Sequence, residues 1–205
     1  MKYLAFDTSG SRLTVAVGGN EKVLKSLEEC FHSHSVVLMP EIENCLALSK
    51  TELQDIDVFA CSVGPGSFTG IRIGVSTAKA FAYALSKKVL GVTSFECLAY
   101  NIVDKAKKLT VIDARHDNFY VCGFDESNNV IVEPCFKTKQ EIIDLYSDFL
   151  IVSDVEIEGV DSVVGDMAKG FTLAVEANLD KASLEREILV PLYVKKSQAE
   201  EESCK

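Results

Sequence analysis

Gly64-Pro65-Gly66-Ser67-Phe68-Thr69-Gly70 follows the apolar run Val58–Val63 and leads into a segment rich in small residues that ends near Ser86. A strand that breaks into glycines and restarts as a helix aims backbone N–H groups at one spot, which is how many proteins hold a phosphate. Asp7, Thr8 and Ser9 close an opening apolar strand, where a carboxylate can position Mg²⁺ or water. With Arg72 and the loop they form a candidate nucleotide or regulatory site. Its chemistry is incomplete. A Walker A loop, GxxxxGK[ST], needs a lysine for the β/γ-phosphates and a hydroxyl for Mg²⁺. Counted from Gly64 the chain offers Thr69-Gly70, and counted from Gly66 it offers Ile71-Arg72. The dinucleotide pattern GxGxxG also fails, because Thr69 stands at its third glycine. Ser67 and Thr69 read as caps of the following helix rather than as nucleophiles.

No second constellation supplies the missing chemistry. The three histidines are His32, His34 and His116. His32 and His34 lie two apart at a helix start, point in different directions, and read as surface or cap-adjacent polar residues. There is no GxSxG elbow and no Cys–His pair that spacing alone justifies. The seven cysteines are dispersed without a CxxC, most of them inside apolar runs where cysteine packs as a small hydrophobe. That usage fits a reducing compartment. No catalytic residue, metal ligand or intrinsic cofactor is assigned.

The elements that must position the loop follow from periodicity. Strands are expected at Lys2–Phe6, Leu13–Gly18 and Lys22–Leu27, then a helix over His34–Ser49 with Ser33 or Ser35 as its cap. Pro40 falls inside this helix pattern and either kinks the helix or fixes its start. Strand Asp57–Val63, helix Thr69–Ser86 and strand Lys88–Val92 complete the unit. The second half repeats the pattern: aligning Phe6-Asp7-Thr8-Ser9 with Ile112-Asp113-Ala114-Arg115 puts Leu13 on Phe119 and Val15 on Val121. A third strand, Asn129–Phe136, and a helix, Thr138–Tyr146, come next. The expectation is an α/β chain of two duplicated lobes, each a mixed sheet with a three-strand meander plus alternating helices and strands. The polar stretch Asn101–Lys108 is the expected junction, giving lobes 1–104 and 105–205.

Length and charge bound the function. The 205 residues suffice for a full core, and 21 Lys+Arg against 31 Asp+Glu give a net charge of −10. Such a surface repels nucleic acid on average, apart from local patches at Lys105-Ala106-Lys107-Lys108 or Val194-Lys195-Lys196. The opening strand carries no basic leader and no run approaches a membrane span, so the expected location is the cytoplasm. The tail Gln198–Lys205 is expected to be disordered.

One positive feature concerns packing. Gly70, Gly74, Ala78 and Ala82 recur every four residues and form a ridge of minimal side chains along the second helix. Glycine in a helix interior costs up to about 1 kcal/mol against alanine, so a ridge holding two calls for close approach of something. Either the neighbouring helix of the same lobe fills it or another molecule does. The expectation is the second: a partner interface of Val36, Met39, Glu43, Gly70, Ile71, Gly74, Ala78 and Ala82 on helices Val36–Leu48 and Thr69–Ser86.

The paired strand-Asp lobes resemble the actin-like, Hsp70-like (ribonuclease-H-like) fold. Finer strings occur in order: Ala5-Phe6-Asp7-Thr8-Ser9, His34-Ser35 through Met39-Pro40, Gly64–Gly74, Gly91-Val92-Thr93-Ser94-Phe95-Glu96, Asp113-Ala114-Arg115 and Pro191-Leu192-Tyr193-Val194. Together they resemble the TsaB (YeaZ) family end to end. The resemblance implies a non-catalytic subunit that pairs with the TsaD paralogue through helices of the first lobe. TsaE supplies an ATPase, for threonylcarbamoyl transfer to an adenosine of ANN-decoding tRNAs. It further implies a homodimer when the partner is absent, only indirect contact with tRNA, and ATP or ADP, if bound, at the shared interface. TsaD-like relatives hold a metal with two histidines just after the strand equivalent to Lys88–Val92, where this chain reads Thr93-Ser94-Phe95-Glu96-Cys97. The alternative reading is an independent ATPase or phosphotransferase of the actin-like fold.

Overall fold

The computed structural model describes residues 1–19, 22–27, 34–103 and 106–194. Two five-stranded mixed sheets share one topology. In the first, β1 (Tyr3–Asp7), β2 (Leu13–Gly18) and β3 (Val23–Leu27) form the meander. Then come α1 (His34–Leu48), β4 (Val58–Gly64), α2 (Phe68–Leu85), β5 (Lys88–Thr93) and α3 (Ser94–Ala99). Strand order is β3-β2-β1-β4-β5, with β4 parallel to β1 and β5 parallel to β4. The second sheet uses β6 (Lys108–Asp113), β7 (Asn118–Phe124), β8 (Val130–Thr138), α4 (Lys139–Leu145), β9 (Leu150–Ser153), β10 (Ser162–Val164) and α5 (Met167–Ala177). Its order, β8-β7-β6-β9-β10, is the first order over again.

The duplication therefore holds, with two departures. Asp7 pairs with Thr14 but Asp113 pairs with Phe119, so the second turn is one residue shorter and Phe119 is equivalent to Thr14, not Leu13. Three consecutive residues, Arg115, His116 and Asp117, take positive φ to close it. Between β9 and β10 there is no helix, so α2 and its glycine loop have no counterpart in the second lobe.

Alternation along the first sheet sends Leu4, Phe6, Val15, Phe59 and Cys61 to one face, where α1 and α2 cover them with Leu38, Ile42, Ile71 and Val75. Tyr3, Ala5, Ala16, Val58 and Ala60 face the other way, against Phe171, Ala174 and Val175 of α5. Burial on both faces explains the unbroken apolar strands, and each large side chain so buried contributes about 1.5–3 kcal/mol. The helices that follow each fifth strand are exchanged. α3 packs Phe95, Leu98 and Ala99 on the second sheet against Ile112, Phe124 and Val152, whereas α5 packs on the first. Residues 179–189 also return to the first lobe, where Leu189 joins its core, while Leu192 and Val194 pack against the cluster of α3 and the second sheet.

Local expectations are adjusted accordingly. α1 begins at His34, so Pro40 lies inside the helix and Ser35 is a helical residue rather than its cap. Ser33 and His32 lie outside the described residues, as does the tail Gln198–Lys205. Lys108 is not part of a basic surface patch: it is 1% exposed and its Nζ donates to Asn128 Oδ1 at 2.6 Å. Among the described residues no helix is long and apolar enough to cross a membrane.

Candidate functional site

β1 delivers Asp7 into a buried polar cluster under the glycine loop. Asp7 Oδ1 accepts the Ser9 N–H at 2.8 Å and the Ser9 hydroxyl at 2.6 Å. The Ser9, Ser62 and Ser94 hydroxyls lie 3.2–3.4 Å from one another. Burial pushes the Asp7 carboxyl up from its ordinary range, against the pull of the Ser9 and Ser62 bonds. Asp113 repeats the first of these bonds, its Oδ1 accepting the Arg115 N–H at 2.7 Å. The aspartate common to both lobes thus builds a side-chain–backbone turn at the end of each first strand.

The loop is closed by its own chain. The Ser67 N–H donates to Ser9 O at 2.7 Å, Gly70 N–H to Ser67 Oγ at 3.2 Å, and Gly64 N–H to Ser62 Oγ at 3.4 Å. Thr8 Oγ1 donates to Gly70 O at 2.7 Å. Gly64 has φ +95°, in the region that favours glycine. From the other side Leu192 donates its N–H to Val63 O at 2.8 Å. Ser67 caps α2 as expected, while Thr69 is exposed and makes no cap bond.

The small-residue ridge points inward, which corrects the expectation of a docking ridge. Gly70, Ile71, Gly74, Ala78 and Ala82 are all buried within the lobe. A Cβ on Gly70 would overlap the Thr8 carbonyl oxygen, and one on Gly74 would lie 2.7 Å from Thr8 Oγ1 and 3.8 Å from Cys61 Cβ. The ridge is the notch in which the β1 turn and β4 seat against α2. Of the expected interface residues, Val36 (72% exposed), Met39 and Glu43 remain open on α1. On α2 the open stripe is Thr69, Arg72, Ser76 and Tyr83.

Arg72 stands apart from the Asp7 cluster. It is exposed, and its Nε donates to Tyr193 Oη at 2.8 Å. Phe68 and Tyr193 stack with ring centres 4.5 Å apart. Arg186 lies over Tyr83 near the far end of α2. The segment 186–193 thus runs along the flank of α2, a contact signalled in the sequence only by Pro191–Val194.

His34 was expected at the surface or beside a helix cap, and it does open α1. It is 4% exposed, not at the surface, with Nε2 unpartnered among the described residues, and burial pulls its pKa down while nearby Asp7 opposes that. Neither Ser62 nor Ser94 was assigned a role from the sequence, since an isolated serine in an apolar run carries no distinctive spacing.

The position of the relatives' histidine pair does not fit a metal. Thr93 caps α3 in a reciprocal box in which Glu96 accepts from the Thr93 N–H and hydroxyl at 2.7 and 2.8 Å. Cys97 is buried, donates to Thr93 O, and burial raises its thiol well above the usual range. Among the described residues no three acidic, Cys or His side chains gather to hold a metal ion.

Residues 28–151 match the family model described as TsaD: tRNA N6-adenosine threonylcarbamoyltransferase. The chain is 32% identical over 134 residues to tRNA threonylcarbamoyladenosine biosynthesis protein TsaB of Escherichia coli (strain K12), and 36% identical over 133 residues to the protein of the same name from Bacillus subtilis (strain 168). Each match covers 64% of this chain and 58% of the relative, so the chain spans less than two thirds of their length. YeaZ from Pseudomonas aeruginosa shares the fold, with TM-score 0.78 at 20% identity over 94% of this chain and 99% of that one. The chain belongs to the TsaD family, and the curated relatives it is similar to are TsaB proteins.

Proposed function

We propose that the chain is a non-catalytic partner subunit in tRNA threonylcarbamoyladenosine biosynthesis, pairing with a TsaD paralogue and acting with the TsaE ATPase. The observation that carries this reading is the closed loop. The N–H groups of Gly64, Ser67 and Gly70, which a phosphate would need, already bond to the chain's own Ser62, Ser9 and Ser67. The carboxylate beneath them is taken up by Ser9. Three loop donors satisfied internally brace the helix behind them rather than stand ready for a phosphate.

What the brace presents is the outer face of α1 and α2: Val36, Met39 and Glu43 with Thr69, Arg72, Ser76 and Tyr83. A groove of about 550 Å³ runs between the two helices. On this reading the TsaD paralogue docks there, a second copy of the chain takes its place when TsaD is absent, and tRNA is met only through the partner. A nucleotide shared with the partner would reach the loop from its open side, at Thr69 and Arg72.

Measuring ATP turnover by the purified chain, alone and with TsaD and TsaE, tests the reading. Turnover should appear only with the partners. Turnover by the chain alone would establish the actin-like phosphotransferase reading instead.

A further inference from the structure

The groove between α1 and α2 has one charged side chain. Met39 and Ile73 give it an apolar floor, Ser35 and Thr69 bring hydroxyls, and Arg72 is the only ion among its described lining residues. Arg72 has no carboxylate partner among the described residues, whose ion pairs all use lysines. Its direction is nevertheless fixed. Nε donates to Tyr193 Oη at 2.8 Å, and the guanidinium lies 5.7 and 5.6 Å from the stacked rings of Phe68 and Tyr193. On a chain of net charge −10, this is a cationic inlet without an acid.

The chain leaves the described residues beside that inlet. Tyr193, which holds Arg72, is followed by Val194, the last of them. The sequence then reads Lys195-Lys196-Ser197-Gln198-Ala199-Glu200-Glu201-Glu202-Ser203-Cys204-Lys205. Seven residues separate Tyr193 from the first of three consecutive carboxylates, a reach of up to about 23 Å. That is ample for a return to an arginine that touches Tyr193 itself. An ion pair on an open surface is weak alone, but tethering supplies a local concentration on the order of millimolar.

We propose that residues 195–205 fold back over the α1–α2 groove, with the Glu200–Glu202 run on Arg72, and cover it until a partner displaces them. This cover belongs to the chain alone, whatever partner uses the groove.

Methyl-¹³C labelling of methionine in the full chain tests it. The three methionines are Met39 in the groove and Met1 and Met167, neither of which lines it. An uncharged gadolinium chelate in the solvent reads the exposure of each methyl, with circular dichroism confirming the fold of every variant. Arg72→Glu should raise the relaxation enhancement at Met39 by about twofold, because the cover is repelled, and leave Met1 and Met167 unchanged. Glu200→Lys, Glu201→Lys and Glu202→Lys together should do the same, as should salt at about 1 M on the wild type. Joining Arg72→Glu to the three lysines should bring Met39 back to about the wild-type value, since the swapped charges attract again. Dilution of the wild type by about tenfold should change nothing, because a contact within one chain does not depend on concentration. A Met39 methyl that opens on dilution is covered by a second copy instead, and overturns the proposal. So does a Met39 as exposed in the wild type as in the Arg72→Glu variant, or a charge swap that fails to restore the cover.

Discussion

Gly74→Ala separates an inward ridge from an open one by the sign of its effect. On an open helix face, alanine for glycine should stabilise the folded chain by up to about 1 kcal/mol. Here the new Cβ would stand 2.7 Å from Thr8 Oγ1, a hydroxyl held at 2.7 Å by its bond to Gly70 O. Forcing it aside costs about 1–3 kcal/mol, as overpacking does elsewhere. The net expectation is a loss of about 0–2 kcal/mol, with Tm moving about 2–4 °C per kcal/mol for a chain of this size. Thr8→Ala alone should cost about 1 kcal/mol for the lost hydrogen bond. In that background the Gly74 methyl has room, so Gly74→Ala should become neutral or stabilising, a coupling of about 1–3 kcal/mol. The chain has no tryptophan, so urea unfolding followed by far-ultraviolet circular dichroism is the suitable assay. Gly74→Ala stabilising to the same extent with and without Thr8 would show that nothing presses on the ridge, and would refute the seating of the β1 turn against α2.

Burial raises the Asp154 carboxyl from its usual 3.8 to about 6. A raised value means that the protonated form suits the folded state: its contribution is complete below pH 3.8 and is lost as pH rises through about 6. Asp154→Asn keeps an acceptor for the Asp113 N–H, so it should be nearly neutral at pH 4 and stabilise by up to about 3 kcal/mol at pH 8. Equal effects at the two pH values in equilibrium unfolding would contradict this. Gly170→Ala should part α5 from α3, because its Cβ would overlap the Cys97 carbonyl oxygen, which cannot turn away. A loss of about 3 kcal/mol or more is expected, against less than about 0.5 for Lys169→Ala on the exposed side, and comparable stability of the two variants would refute it.

Much of the fold was legible because it is local and repeated. Strand, aspartate and turn recur in both lobes since the same side-chain–backbone bond ends each first strand. Period-two and unbroken apolar runs mark the sheets correctly. The direction of the α2 ridge was not legible. Small residues every four positions serve a neighbouring strand turn and a foreign helix equally well, and only Thr8 in the notch decides between them. Nor could periodicity reveal that α3 and α5 exchange sheets, or that residues 186–193 return along α2, since both are long-range choices. Of the candidate loop, Asp7 through Ser9 and Gly64 through Gly70 do come together, but Arg72 answers to Tyr193 instead. The burial of His34 was not legible because its environment comes from Asp7 and the Arg12 backbone, both distant in sequence.

The most direct test of the account is co-elution with the TsaD paralogue, measured by size-exclusion chromatography with light scattering. Met39→Glu places a charge in the open groove while leaving the ridge intact. Wild type should elute with TsaD as a complex, and Met39→Glu should elute as a folded chain apart from it. A Met39→Glu chain that still forms the complex at wild-type affinity would contradict the α1–α2 outer face as the docking surface.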